Sequence, residues 1–215
     1  WSGSPHALRQ ALERDGGVVD IGARLPVPVE LALKAGYSRR VNGRRVSMWR
    51  HAALTRGLLK AQLDAGVRRH RPDAVLMIQD LAVLAVPTFV VQDLTYAVLL
   101  EHYREGGVPH FPTLGRDAVE RMRDRQLAIY ERAAGLLPMS RWLGNHLVAS
   151  GVPAHKVHPV HPGVNVPLTP PGSVPERRRG TARTLLFLGR DAHTKALDQV
   201  VGALAVLRRD ADVEI

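Results

Sequence analysis

Arg190 and Lys195 stand with four residues between them, where an apolar run at residues 185–188 gives way to helical spacing. Two cations at such a place suit an anion. The first turn of a helix offers unpaired N–H groups and the positive end of the helix dipole. A cation near that turn opposes the dipole, at a cost of roughly a few tenths of a kcal/mol, and a bound phosphate offsets it. Arginine can grip a phosphate through two N–H groups, and lysine adds a point charge. The plainer alternative is a pair of surface cations on a loop.

Other residues sit where a strand is expected to end. Asp93 and Thr95 follow the apolar run PTFVVQ (87–92). Asp93 could cap the next helix or face a ligand. Ser140 ends the run AGLLPMS (134–140) and could cap a helix or reach toward a ligand. Gly3 precedes Ser4-Pro5, a strong helix start, and could be a flexible spacer or a point of close backbone approach. His158 and His161 are near neighbours, but no acidic residue lies close in sequence, so no metal site is expected. His102 fits a surface or packing position within a helix. No Gly-x-Ser-x-Gly elbow, Walker phosphate loop or Gly-x-Gly-x-x-Gly fingerprint occurs. Cysteine is absent, which removes disulfides and thiolate metal sites.

The elements that position these residues can be read from periodicity. A helix is expected to start at Ser4 and stop at Gly16-Gly17, with GVVDIG (17–22) as a short buried strand. Leu54, Leu58, Leu63 and Val67 recur at helical spacing and predict a helix over 48–70. AVLMI (74–78), PTFVVQ and AGLLPMS predict strands. Helices are expected from about Leu94, over 114–133, and over 142–150 up to Gly151. KVHPVHP (156–162) should be extended. Residues 164–183 are proline-rich and basic and suggest a linker. TLLFLG (184–189) predicts a strand, followed by a helix carrying Leu197, Val200, Val201, Leu204 and Leu207. DVEI (212–215) resembles the start of another strand. Strands alternating with helices imply an α/β fold, a parallel sheet with helices on both faces. Ligands of such sheets bind beyond the carboxyl ends of the strands, where the candidate residues lie.

The net charge is +10, with basic clusters at 39–50, 67–71 and 176–183. A solvated arginine-rich surface explains much of this. An anionic partner is the sharper explanation: a phosphorylated ligand, nucleic acid or an anionic membrane surface. The longest apolar run, 81–91, is interrupted by Pro87 and is too short to span a bilayer.

The stretch GRDAHTKALD (189–198) resembles the retaining glycosyltransferases of family 4, enzymes of the GT-B fold with two Rossmann-like domains. Their second domain opens with a strand, then Gly-Arg, four residues, Lys-Gly and a nearby Asp. Gly189, Arg190, Lys195 and Asp198 match, and Ala196 replaces the usual glycine. WSGSPHALRQAL (1–12) is similar to the family's first loop and helix. VVQDLTYAVLLEHY (90–103) is similar to a fourth-strand exit in one bacterial branch. MSRWLGNHLVASGVPAHKVHPVHPGVN (139–165) resembles a third passage, so the likeness runs along nearly the whole chain.

The resemblance implies an N-terminal, acceptor-side Rossmann-like domain over 1–163, its first strand missing. A linker over 164–183 and the start of a nucleotide-sugar-binding domain over 184–215 would follow. Gly189, Arg190 and Lys195 would hold the donor diphosphate, and Gly3, Asp93, Thr95 and Ser140 would lie on the cleft or acceptor side. The reaction would be hexosyl transfer with retention from a UDP- or GDP-type nucleotide sugar to a sugar, lipid or small-molecule acceptor, as in polysaccharide or glycolipid synthesis. No metal or other cofactor is expected, because the cations neutralise the leaving group. The family's acidic pair would lie beyond residue 215, so the chain alone is expected to be inactive. The expected location is the cytoplasm, with peripheral contact at the inner face of an anionic membrane. Nucleic acid is not an expected partner of a transferase. The alternative from a different class is a non-catalytic basic α/β protein that binds nucleic acid or another anion. A third is another Rossmann-like enzyme, such as a two-domain sugar-nucleotide epimerase.

Overall fold

The computed structural model describes residues 4–14, 16–41, 43–104, 114–163, 187 and 196–210. The chain divides into two compact units, Trp1–Val166 and Pro167–Ile215. The first is a mixed α/β unit around a three-stranded parallel sheet. Its elements are α1 (Ser4–Arg14), α2 (Val27–Gly36), β1 (Ser38–Val41), β2 (Arg44–Ser47), α3 (Ala53–His70), β3 (Val75–Ile78), β4 (Thr88–Gln92), α4 (Tyr96–Arg104), α5 (Arg116–Arg132), β5 (Gly135–Pro138) and α6 (Arg141–Ala149). The second unit contributes α7 (Leu197–Asp210).

Strands β3, β4 and β5 lie side by side in that order. Met77 pairs with Val90, and Val90 with Leu136, so one row crosses the whole sheet. These short apolar strands suit a sheet buried by helices rather than one with a wet face. Val90, Val98, Tyr130, Leu136, Leu143 and Leu147 form the main core, which joins β4 and β5 to α4, α5 and α6. A smaller cluster of Leu63, Met77 and Ala82 ties α3 to β3. Beyond α6 the chain returns along β5. Val157 bridges Leu136 in parallel, and the N–H groups of His158 and Val160 donate to Leu136 and Pro138 at 2.8 and 2.9 Å. From Val157 onward KVHPVHP is therefore extended, as its prolines suggested, while Lys156 closes a 3-10 turn at Ala154–Lys156.

Three expectations need correction. GVVDIG is not a strand. Gly16, Gly17 and Gly22 have φ of 83°, 74° and 44°, outside the extended region, and Val18 and Val19 are exposed. The segment's one anchor is Ile21, which belongs to the smaller core cluster and lies against Gly66 of α3. A Cβ added at Gly66 would sit 2.0 Å from Ile21 Cγ2. The helix expected from residue 48 begins at Ala53, after a single 3-10 turn at Trp49–His51. Its apolar stripe is also only half buried: Leu63 is inside, whereas Leu54 and Leu58 face solvent.

Two elements have no counterpart in the sequence expectations: α2 and the antiparallel β1–β2 hairpin. The hairpin carried a signal of its own, an Asn-Gly step between two Arg-Arg pairs, and that step favours a tight two-residue turn. The expected linker over 164–183 lies outside the described residues. So do the strands over 184–189 and 212–215, apart from Phe187.

Candidate functional site at the strand exits

Strands β3 and β4 leave the sheet with the same dipeptide. Gln79-Asp80 follows VLMI, and Gln92-Asp93 follows and ends TFVVQ. The two pairs are nevertheless used in opposite ways. Gln79 takes φ of 68°, a left-handed conformation uncommon outside glycine. The turn places Asp80 inside, at 8% exposure. At β4 the glutamine is the buried member and Asp93 the exposed one. The two ends touch, because Gln79 Nε2 donates to Asp93 Oδ1 at 3.2 Å.

Asp80 anchors a buried polar network. Gln126 of α5 donates from Nε2 to Asp80 Oδ1 at 2.9 Å, and its Oε1 accepts from the Tyr96 N–H at 2.9 Å. One side chain thereby ties the exit of β3 to the first turn of α4. Arg125 approaches Asp80 Oδ2 at 3.8 Å, an ion-pair distance but not a hydrogen bond. Gln92 Nε2 donates to the Leu94 carbonyl. Burial pushes the Asp80 carboxyl above its ordinary value, opposed by the Gln126 hydrogen bond, its own backbone and Arg125. Burial and the nearby Asp80 push the Tyr96 hydroxyl up to about 12. The Arg56 guanidinium is lowered, first by burial and then by Arg125. Its donor NH1 reaches the His51 carbonyl, and Tyr96 OH lies 3.4 Å from His51 Nδ1.

Thr95 and Ser140 both serve as helix caps. Thr95 Oγ1 accepts from the Val98 N–H at 3.3 Å, so Thr95, not Asp93, caps α4. Ser140 Oγ accepts from the Leu143 N–H at 3.1 Å and caps α6. Gln92 pairs with Pro138, and the Met139 N–H donates to Gln92 O at 2.9 Å. Asp93 and Ser140 therefore stand at neighbouring exits of β4 and β5. Asp93 is exposed and has one hydrogen bond, from Gln79, among the described residues. That leaves it the most available carboxylate on this edge. Gly3, Gly189, Arg190 and Lys195 lie outside the described residues.

Asp80, Gln92, Arg125 and Gln126 were not singled out from sequence. The doubled apolar-Gln-Asp ending was the one available sign, and it marks two strand exits without revealing that their burial is inverted. In the second unit, Ala196 takes φ of 55°, and its carbonyl accepts from the Val200 N–H at 3.2 Å, at the start of α7. Comparison of the chain with protein-family models, with curated proteins and with solved structures finds no match.

Proposed function

We propose that this chain is part of a retaining glycosyltransferase of the family 4 type. In this proposal residues 1–163 form the acceptor-side Rossmann-like domain of a GT-B enzyme, and 184–215 begin its donor-binding domain. The observation that carries the proposal is the backbone of Ala196. It directly follows Lys195 and adopts the left-handed conformation that glycine favours, at the position where the family carries glycine. The residue has changed, but its backbone takes a conformation open to glycine, which supports the likeness of the motif. Asp93 at an exposed strand exit, with Ser140 at the next exit, adds support on the acceptor side.

The chemistry assigned to each residue follows from its type. A nucleotide diphosphate gains negative charge as its bond to the sugar breaks. Arg190 and Lys195 stabilise that charge, and Gly189 admits the backbone close to the phosphates. Asp93 orients an acceptor hydroxyl. Thr95 and Ser140 set the exits by capping α4 and α6.

Calorimetry with UDP and GDP on the complete gene product tests the assignment. Arg190→Ala and Lys195→Ala should each weaken nucleotide binding by about 1.5–3 kcal/mol, the value of a charged hydrogen bond. Unchanged affinity in both variants, or no nucleotide binding by the unmodified protein, overturns it.

A further inference from the structure

Three non-glycine residues among those described take a left-handed backbone, and two of them stand at helix ends. Arg71 caps the carboxyl end of α3, and Ala196 directly precedes α7. Gln79 is the third, with φ of 68°, and it borders no helix. A side chain makes this conformation costly, whereas glycine adopts it freely. The chain nevertheless carries glutamine there. Such strain persists only where the surroundings over-determine it, and here they do. The Gln79 N–H donates to the Val91 carbonyl at 2.9 Å, and the Gln79 carbonyl accepts from the Leu81 N–H at 3.1 Å. The next residue, Asp80, is held inside by Gln126. None of these bonds uses the Gln79 side chain, so glycine would satisfy them all. What glutamine adds is its amide.

That amide meets the exit of β4. Its Nε2 donates to Asp93 Oδ1 at 3.2 Å. An ionised carboxylate only accepts, so the contact fixes which amide atom faces it, and Oε1 is left over. Asp93 Oδ2 is left over in the same way. Neither oxygen has a hydrogen bond among the described residues. Asp93 is exposed and Gln79 half-buried, so water and solutes reach the pair. Two accepting oxygens, on side chains joined by one N–H, thus stand at the carboxyl edge of β3 and β4, the edge at which parallel sheets take ligands.

We infer that Gln79 sets which ligand this edge takes: its amide and the Asp93 carboxylate together read two neighbouring hydroxyls of a sugar ring. One hydroxyl donates to Gln79 Oε1 and the other to Asp93 Oδ2, while Gln79 Nε2 keeps the two side chains in register. The ligand is a neutral polyol. A phosphate would be repelled by Asp93. A hard cation takes about six to eight oxygens, and this pair offers two. The inference deepens the acceptor-side role proposed for Asp93 and rests on that reading, in which the acceptor becomes a sugar recognised through adjacent hydroxyls. It holds for a free sugar and for one carried on a lipid alike; no helix among the described residues is long and apolar enough to cross a membrane.

Side-chain amide NMR of the 215-residue chain tests it. The Gln79 Nε2 protons are identified by their loss in Gln79→Gly. Methyl glucopyranoside or methyl mannopyranoside should shift them saturably, and cyclohexanol, a ring with a single hydroxyl, should not. Gln79→Gly and Asp93→Asn should each weaken pyranoside binding about tenfold, as when a hydroxyl loses its partner. Gln79→Gly should at the same time keep or raise the urea midpoint, because glycine relieves the left-handed backbone; a purely structural glutamine would lower it. No shift with either pyranoside overturns the inference, and so does an equal shift with cyclohexanol. Undiminished pyranoside binding by Gln79→Gly overturns it too. The two proposals fail separately. A pyranoside response in a protein whose complete gene product binds neither UDP nor GDP supports the hydroxyl pair and removes the transferase. Nucleotide binding without a pyranoside response does the reverse.

Discussion

Gln126 Nε2 donates to Asp80 Oδ1 at 2.9 Å, joining residues 46 positions apart in the chain. Through its other amide atom the same side chain accepts from the Tyr96 N–H. It thus fixes the exits of β3 and β4 relative to each other, and Asp93 is positioned by that arrangement. Asp80 Oδ2, Gln92 Oε1 and Arg125 Nε are buried without a hydrogen bond among the described residues, so the network is only partly satisfied. Such a network has little tolerance for further loss.

Gln126→Ala should therefore be strongly destabilising. It strips Asp80 Oδ1 and the Tyr96 N–H of their partner in a region closed to water. Two unsatisfied groups at roughly 1–3 kcal/mol each predict a loss of about 2–4 kcal/mol, because water entering the new space recovers part of it. Urea denaturation followed by circular dichroism measures this. A loss typical of an exposed site, below about 0.5 kcal/mol, would mean that the network carries no weight.

Asp80 should leave a mark on the pH dependence of stability. Burial raises its carboxyl above the ordinary 3.8. The folded chain then holds a proton that the unfolded chain has already released once the pH passes 3.8. Its contribution to stability is full below that value, falls as the pH rises through the raised one, and is level above it. Asp80→Asn has no such titration. Urea midpoints measured across the acid range should show a downward segment in the parent that is missing in the variant. Identical pH profiles would assign that segment to another group.

Asp93 and Ser140 should separate function from stability. Asp93 is exposed, so Asp93→Asn should change stability by less than about 0.5 kcal/mol. If it orients the acceptor, sugar transfer by the complete gene product should fall about tenfold or more. Ser140→Ala should do the reverse, removing the α6 cap at a cost of about 1 kcal/mol with a smaller effect on transfer. Nucleotide-sugar turnover and urea midpoints on both variants check this. Wild-type turnover by Asp93→Asn would remove that carboxylate from the acceptor side.

The sequence by itself determined the elements whose signals are local. β3, β4 and β5 were legible as short apolar runs, and α5 and α6 as helical patterns closed by recognisable stops, because period and capping act over a few residues. Their alternation also implied the parallel pairing observed in β3–β4–β5. Ser140 was legible as a cap for the same reason. GVVDIG misled because a strand requires a neighbour as well as apolar residues, and the glycines at its ends turn out of the extended region. The tertiary structure alone decided which member of each Gln-Asp pair is buried. Gln126 and Asp80 meet only after α5 packs beside the sheet, and no local pattern records a contact 46 residues long. The orientation of α2 was likewise decided by packing, which buries Leu33 and leaves Val27 and Leu31 exposed. Periodicity shows that a helix has an apolar side, but only the docking of Leu33 and Trp49 settles which side the protein keeps for itself.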